Sequence, residues 1–429
     1  MNLIPDTTCV GPKKGMGTFA NASLVMLCFT FPISVAMANV FLFCMLTGWL
    51  LAGGFRYRWQ VAMQNPMTFP AITLYALLLL GAIYSTGTWT EVFYSLGKYS
   101  KLVYFIVALS LIDDNRWRDR CLNAFVAAML ITLASTYANI WIDLPWSRTQ
   151  NRGWGVDHTV FKDYISQGEQ MSLFVLLSIS RIWHSTTPRE KFIWVSLALF
   201  AIVSITHLSL GRTGYVALVG VFLTTAIVAV PGKYRIASFV VVALMVAAIV
   251  MSSGSVQNRA SIGMTEARDH NQTSLTSIGQ RLDFLEKSTL LMRERPFLGW
   301  GTGAYPGQYC RIASSAEWCA AGKFHPHNQF VFFGVELGLI GVLVFSWFMF
   351  RPLWLARALK VADRLPIAGF VIIFMVGSLA HSSLYLSTEN HFFIFMMAVL
   401  TSLASTSLTV RTDLAQSDDH ANIEGSLVK

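Results

Sequence analysis

An arginine between glycines, inside a long apolar run, is the residue of this sequence best placed to bind an anion. Arg212 lies in the segment SLGRTG at 209–214, and it and His207 are the only basic side chains between Phe192 and Val230. As one helix that run would rise roughly 60 Å, about twice the thickness of a bilayer core. The chain must therefore turn, and the glycines allow it to do so there. Such an arginine either anchors a helix end or binds an anion, and glycines that let a ligand approach the backbone favour the anion.

A pair of histidines precedes another apolar run. His325 and His327 belong to the segment HPHN, and Asn328 or its neighbour can cap the helix that follows. The amino end of a helix attracts anions, and its field keeps a histidine neutral and able to accept a proton. The alternatives are two interfacial histidines that only cap a helix, or metal ligands. No cluster of carboxylates or cysteines with ligand spacing accompanies the pair, so we expect no metal and no cofactor.

Further polar side chains are expected at the same edge of the membrane. In lipid each would cost several kcal/mol unless it faced a bundle interior or a water-filled cleft. With Arg212, Arg281 and His327 they predict a polar cavity. The residues concerned are Lys98, Lys101, Asp163, Gln167, Glu169 and Gln170, and His381 and the turn Glu389-Asn390-His391 could line it too.

Such a cavity suits a lipid diphosphate that carries a group to be transferred. Arginine forks match phosphate oxygens, apolar surroundings suit a lipid tail, and a neutral histidine can deprotonate an attacking hydroxyl. The sequence shows no cytosolic nucleotide-binding module, so the energy for transfer would have to arrive with the substrate.

The elements that must position these residues are membrane helices. Of 429 residues, 54% are hydrophobic and 13% are charged, about half the charged share of a soluble domain. Apolar runs of the length needed to cross a bilayer recur along the chain, and no cleavage site follows the first, which we expect to form a retained helix hairpin. The fold class predicted is an all-α polytopic membrane protein. Its twelve spans are predicted at 18–34, 36–52, 68–86, 98–112, 121–143, 163–183, 192–210, 213–230, 236–252, 328–349, 367–386 and 391–409.

Basic residues in the short loops predict the orientation. Short loops rich in Lys and Arg alternate with short loops that lack them, so both termini and all the basic short loops are expected to be cytoplasmic. This distribution accounts for the net charge of +9 without a role in binding nucleic acid. The predicted organisation is nine membrane helices in 1–252, a large non-cytoplasmic loop at 253–327, three helices in 328–409 and a cytoplasmic tail at 410–429.

The large loop is expected to contain short helices. Residues 258–278 are polar and predict a mobile stretch, whereas residues 279–295 predict an amphipathic helix that Pro296 ends. Its apolar face is expected to hold Ile278, Leu282, Leu285 and Met292. The GWGTG segment at 299–303 is interpreted as a glycine-rich turn and not as a nucleotide fingerprint, since no strand precedes it. Cys310 and Cys319 could pair if the loop faces an oxidising compartment.

Several segments resemble the bacterial O-antigen ligases, which share a core region with O-antigen polymerases and some protein O-oligosaccharyltransferases. The resemblance covers the whole chain in topology and is most specific over residues 205–345. The matching segments are SLGRTG at 209–214, GQRL at 279–282, RPFLGWG at 295–301, HPHNQ at 325–329 and GVELGLIG at 334–341.

The resemblance implies a GT-C-like helical fold in the bacterial inner membrane. It implies metal-independent transfer of a glycan from undecaprenyl diphosphate to a sugar hydroxyl of lipid A-core at the periplasmic face, among membrane lipids. Arg212 and Arg281 would hold the diphosphate, and His327 would activate the acceptor hydroxyl, with inversion at the anomeric carbon. Apart from the resemblance, we expect substrate to contact six further residues, His325, Asn328, Lys98, Lys101, Arg152 and Lys162. His325 remains an alternative base, and His327 is preferred because it abuts the asparagine.

Three other functions remain open at this stage. A polymerase of the same superfamily would use a lipid-linked glycan as acceptor as well. A protein O-oligosaccharyltransferase would share the HPHN segment, usually with Glu where this chain has Gln329. A transporter of an anionic solute is the alternative from another class, but no pair of broken helices at corresponding positions in two halves supports it.

Overall fold

Every regular element of the described chain is helical, as predicted. The structure, a computed structural model, describes residues 13–268 and 276–402. The helices are α1 (Lys14–Thr30), α2 (Val35–Ala52), α3 (Phe55–Gln64), α4 (Thr68–Ile83), α5 (Trp89–Tyr99), α6 (Lys101–Leu111), α7 (Asn115–Ala138), α8 (Tyr164–His184), α9 (Pro188–His207), α10 (Arg212–Ala229), α11 (Arg235–Ser252), α12 (Gly254–Arg268), α13 (Ser277–Glu294), α14 (Tyr305–Ile312), α15 (Ala316–Gly322), α16 (Gln329–Ala356), α17 (Val361–Ala380) and α18 (387–402).

The chain is a polytopic membrane protein. Within the described residues, 8 helices are long and apolar enough to cross a membrane, or up to 9 if the bent pair α3 and α4 forms one span. Each of the twelve predicted spans overlaps a helix, although α17 begins at Val361 and not at 367. The predicted span 391–409 runs past the described residues, and the tail at 410–429 lies wholly outside them.

Two helix breaks differ from the predicted pattern. The segment with Arg56 and Arg58, expected as a loop, forms α3, which meets α4 at 105°. The span expected from residue 98 begins at Trp89 and is interrupted at Ser100. A capping box explains the early start, because the Thr88 side chain accepts from the Glu91 backbone N–H and the Glu91 carboxylate accepts from that of Thr88.

Close backbone contact between α8 and α10 places Arg212. α8 is buried without interruption from Ile165 to Ser178. A Cβ added to Gly168 would lie 2.9 Å from the Cα of Gly214, so only glycine lets the two helices approach this closely. Because Gly214 lies two residues after the start of α10, this contact fixes the position of Arg212 at the bundle surface.

The large loop is more helical than its composition predicts. α12 occupies much of the stretch expected to be mobile, and residues 269–275 lie outside the described chain. The predicted amphipathic helix is present as α13, but only part of the face assigned to it packs inward. Met292 packs against the core. Leu282 and Leu285 are 38% and 48% exposed, whereas Phe284 and Leu291 are fully buried. The side of a helix that packs on a neighbour depends on that neighbour as well as on the apolar pattern.

The glycine-rich turn at 299–303 packs against a kink in α16. Gly338 has φ 64° inside this helix, and the break frees carbonyl groups that the turn uses. The backbone N–H of Trp300 donates to the carbonyl of Val335 at 2.9 Å, and that of Gly303 donates to Glu336 Oε1 at 2.9 Å. The turn is thus a structural joint between the large loop and α16. In addition, a disulfide between Cys310 and Cys319 ties α14 to α15.

Candidate active site

His327 occupies a strained position directly before α16. Its φ of 53° lies in the left-handed region, and no other residue of the described chain except glycine has a positive φ. Asn328 caps α16, as predicted, by accepting a hydrogen bond from the backbone N–H of Val331 at 3.0 Å. Strained backbone of this kind is concentrated at active sites and ligand clamps, which makes His327 the focus of the candidate site.

Three imidazoles meet at this point. The ring centroid of His327 lies 4.3 Å from that of His325 and 5.2 Å from that of His381, which follows α17. The backbone N–H of His327 donates to Nδ1 of His325 at 3.3 Å, which leaves the proton of a neutral His325 ring on Nε2. The sequence identified His381 only as a residue able to line the cavity, and the structure places it against His327.

Both histidines of the HPHN segment are neutral at pH 7. Burial and, to a smaller extent, the charge of Arg281 lower the pKa of His327 to about 4. Burial, followed by the neighbouring rings of His327 and His381, lowers the pKa of His325 to about 3. The neutral state agrees with the sequence prediction, but its main cause is burial rather than the field of the helix end. Nδ1 of His327 is itself buried and has no hydrogen-bond partner among the described residues.

Two arginine side chains, those of Arg212 and Arg281, lie near His327. Arg212 begins α10 and contacts Glu266 of α12, with 3.6 Å between Nη2 and Oε2. Burial and then the charge of Arg212 lower the pKa of Arg281, which indicates that the two guanidinium groups are close. Arg281 has no hydrogen bond or ion pair within the described chain. One carboxylate near two arginines leaves net positive charge beside a neutral histidine, an arrangement suited to a diphosphate.

α12 packs against the side chain of Arg212. A Cβ added to Gly263 would lie 3.3 Å from the guanidinium carbon of Arg212 and 3.4 Å from the side chain of Ile278. The helix expected to be a mobile stretch therefore supplies both Glu266 and the surface that covers Arg212. Sequence reasoning missed Glu266, since nothing in its local pattern distinguishes it from a solvated carboxylate.

Buried groups beneath His327 hold the site together. The Phe284 ring is stacked on the imidazole of His327, and the hydroxyl of Tyr309 donates to Asp283 Oδ2 at 2.8 Å. Asp283, Phe284 and Tyr309 are all buried. The hydrogen bond anchors α13 two residues after Arg281. Local sequence pattern does not indicate these contacts, because they join α13 to α14 and to the HPHN segment through packing alone.

The remaining predicted substrate residues fall into two groups. Lys98 donates from Nζ to Ser387 Oγ at 3.4 Å and lies over the ring of Tyr94, while Lys101 and Lys162 are almost fully buried. Arg152 is exposed and forms an ion pair with Asp143. The structure therefore brings the lysines to the end of the bundle that bears the large loop, but it leaves Arg152 engaged at the surface.

A cavity at the opposite end of the bundle is separate from this site. It has a volume of about 440 Å³, and its lining includes Arg118, Arg181, His184 and Asp363. Arg181 and His184 lie at the end of α8, and Asp363 lies at the start of α17, whereas His381, which contacts His327, follows the other end of α17. The cavity therefore takes no part in the candidate site.

Part of the chain matches a known family. Residues 197–346 match the family model described as O-antigen ligase, and this range contains Arg212, Arg281 and His327. The match covers about a third of the chain and supports membership of the O-antigen ligase and polymerase superfamily, a class that suggests an enzyme of membrane glycan assembly. No curated protein matches the sequence.

Proposed function

We propose that this protein is an O-antigen ligase, a metal-independent membrane glycosyltransferase with a GT-C-like helical fold. It transfers a glycan from undecaprenyl diphosphate to a sugar hydroxyl of lipid A-core. The observation that carries the proposal is the unpaired guanidinium of Arg281, which is close to Arg212 on one side and acts on the pKa of His327 on the other. An anion site and a neutral proton acceptor are thereby joined in one place.

The proposed reaction is a single displacement. The acceptor oxygen attacks the anomeric carbon, the bond from that carbon to the diphosphate oxygen breaks, and His327 takes the hydroxyl proton. Attack from the side opposite the leaving group inverts the anomeric centre. Arg212 and Arg281 stabilise the charge that develops on the departing undecaprenyl diphosphate, while Asn328 and His325 hold the backbone of His327 in place.

Substrate binding would also make His327 a better base. In the free protein the charge of Arg281 contributes to the low pKa of His327. A bound diphosphate would neutralise the arginine pair and thereby raise the pKa of His327. Proton acceptance would then be strongest when the donor is in place.

The site is proposed to face the periplasm from the bacterial inner membrane. It lies at the end of the bundle that carries α12 to α15, whereas the basic short loops lie at the other end, which the positive-inside pattern assigns to the cytoplasm. In this proposal the lipid-linked donor and the lipid A-core acceptor lie in the same membrane as the apolar helices around the site.

The test is transfer by the purified protein without added metal or nucleotide. Undecaprenyl-diphosphate glycan and lipid A-core are supplied, and glycan-bearing lipopolysaccharide is measured. Arg281→Ala should reduce transfer by about 10² to 10³, the usual effect of removing a group that stabilises transition-state charge. Arg293→Ala, which removes an exposed arginine from the same helix, is the matched control and should retain activity.

The products distinguish the alternatives. Lengthening of the donor glycan would indicate a polymerase, and labelling of an added pilin-like protein would indicate a protein O-oligosaccharyltransferase. Absence of transfer to every hydroxyl acceptor would contradict a glycosyltransferase and favour the transporter.

A further inference from the structure

Two buried lysines lie close to the candidate active site without a partner. Lys101 begins α6 and is 8% exposed, and Lys162 precedes α8 and is 6% exposed. Within the described chain neither ammonium group has a hydrogen bond or an ion pair. A buried ammonium group costs several kcal/mol unless it is paired, so two of them at one end of the bundle require an explanation.

The two carboxyl groups that act electrostatically on Lys162, Asp163 and Glu389, are already joined through Ser166. The hydroxyl of Ser166 lies 2.9 Å from Asp163 Oδ2 and 2.6 Å from Glu389 Oε1. A hydroxyl has one hydrogen and cannot donate to both, so one carboxyl group must supply a proton of its own. Asp163 Oδ1 accepts the backbone N–H groups of Ile165 and Ser166, as an ionised helix cap does. Glu389 is therefore the protonated member.

The charge that remains at this place is positive. Lys101 and Lys162 contribute two positive charges, Asp163 contributes one negative charge, and protonated Glu389 contributes none. Glu169 is fully buried without a hydrogen bond in the described chain, and burial favours its neutral form. Lys98, which acts electrostatically on Lys101, adds a further positive charge. Both lysines act electrostatically on the ring of His391, which indicates that both lie near this ring. The ring Nδ1 of His391 is bonded to the carbonyl of Ser387, and its Nε2 is buried without a partner in the described chain. This nitrogen is a free acceptor for a hydroxyl group.

This region adjoins the His327 site but is distinct from the arginine pair. Gln329, two residues after His327, donates to the hydroxyl of Tyr99 at 3.2 Å, two residues before Lys101. The charge of Arg281 acts electrostatically on His327, whereas the charges of Lys101 and Lys162 act on His391. A ligand that spans both regions would meet one anion site on each side of Gln329.

We infer that Lys101 and Lys162, with His391, form a second anion-binding subsite that holds an acidic group of the acceptor glycan, a phosphate or a sugar carboxylate. The inference rests on the proposed function, in which the arginine pair takes the donor diphosphate and the acceptor must bind next to it. The ammonium groups pair with the acidic group, and Nε2 of His391 accepts a hydrogen bond from a neighbouring sugar hydroxyl. The acceptor is thereby held with its own hydroxyl directed to His327.

The test measures acceptor binding in the absence of donor. The purified protein in detergent is titrated with lipid A-core, with the same material after removal of phosphate, and with material whose carboxyl groups have been reduced. Lys101→Met and Lys162→Met should each weaken binding of untreated acceptor by roughly ten- to a hundredfold, the loss of a charge-assisted hydrogen bond. The effect should disappear with one of the two treated acceptors, which identifies the acidic group. Lys233→Met, an exposed lysine at the other end, should have no effect.

A second measurement separates recognition from folding. Replacing an unpaired buried ammonium group by methionine should leave the melting temperature of the ligand-free protein unchanged or raise it, and Lys162→Arg should retain binding. Equal affinities of wild type and lysine variants, an equal loss for all three acceptors, or a loss of donor binding instead would each overturn the subsite. Because no donor is present, these results are independent of transfer. A wild-type protein that binds acceptor through the lysines but transfers nothing would contradict the proposed function and leave the subsite intact.

Discussion

The ring of Phe284 lies almost parallel to the imidazole of His327, with 5.9 Å between the ring centroids and 7° between the ring planes. Phe284 is on α13, three residues after Arg281, so one helix both supports the proposed base and carries a proposed diphosphate ligand. The orientation of His327 and the position of Arg281 are therefore coupled through a single rigid element.

Replacing this support should impair catalysis more than binding. Phe284→Leu keeps an apolar side chain but removes the flat surface under His327, so we expect kcat to fall about tenfold, since misplacing a catalytic group by an ångström has large effects on rate. The KM for the donor should change little, because Arg281 remains. Initial rates of transfer check this, with Leu282→Ala on the exposed face as control. Unchanged kcat would show that the stacking does not orient His327.

The buried hydrogen bond between Tyr309 and Asp283 should matter for stability. Tyr309→Phe leaves Asp283 Oδ2 without this donor, while Oδ1 already lacks a partner in the described chain. We expect a loss of about 1–3 kcal/mol, the cost of a buried unsatisfied polar group. The double variant Tyr309→Phe with Asp283→Leu should recover much of that loss, because both partners are then apolar. Thermal unfolding in detergent measures both, and a double variant as unstable as the single one would refute the explanation.

Asparagine tests the role of His327 without disturbing its backbone. Asn tolerates the left-handed conformation better than most residues, so His327→Asn should fold normally at φ 53°. Loss of general-base catalysis should lower kcat by about 10² to 10⁴. His325→Asn is the matched control, since its side-chain oxygen can still accept the backbone N–H of His327. Greater loss in the His325 variant would make His325 the base.

The pH dependence of the two kinetic constants should differ. His327 acts only when it is deprotonated, and its pKa in the free protein is about 4, so kcat/KM should stay constant from neutral pH down to the region of pH 5. Bound diphosphate raises this pKa, so kcat should begin to fall at higher pH than kcat/KM does. Initial rates at saturating and limiting donor between pH 4.5 and 8 make the comparison. Coincident profiles would show that donor binding does not act on His327.

The same histidines should make the fold sensitive to acid. The pKa values of His325 and His327 fall from 6.5 to about 3 and about 4 on folding. At a pH between the folded and unfolded pKa values, the unfolded chain therefore binds more protons than the folded chain. Their contribution to stability is complete above pH 6.5 and is lost as the pH falls through the folded pKa values. The melting temperature should therefore fall between pH 7 and pH 4. His325→Gln, which does not titrate, should show a shallower fall, and an identical slope would exclude this contribution.

Local pattern was sufficient to identify the class of the fold and the principal residues of the site. The run from 236 to 252 becomes a membrane-length helix because the transfer of apolar side chains into lipid depends on composition and not on a partner. Asn328 caps α16, and the chain turns before Arg212, because capping and glycine turns involve only neighbouring residues. The early start of α5 at Thr88 followed from an equally local capping box that the apolar pattern concealed.

Tertiary structure alone decided how these residues meet. α13 carries apolar side chains on more than one side, and packing selected Phe284 rather than Leu282 for burial. Ser166 and Glu389 are 223 residues apart in the chain, and their contact depends on how α8 and α18 pack. The sequence could therefore indicate which side chains were chemically suited to a lipid diphosphate. Only the folded chain determined that His327 lies on Phe284 and beside Arg281, and that two lysines are buried without partners, because such contacts arise from the joint packing of helices distant in sequence.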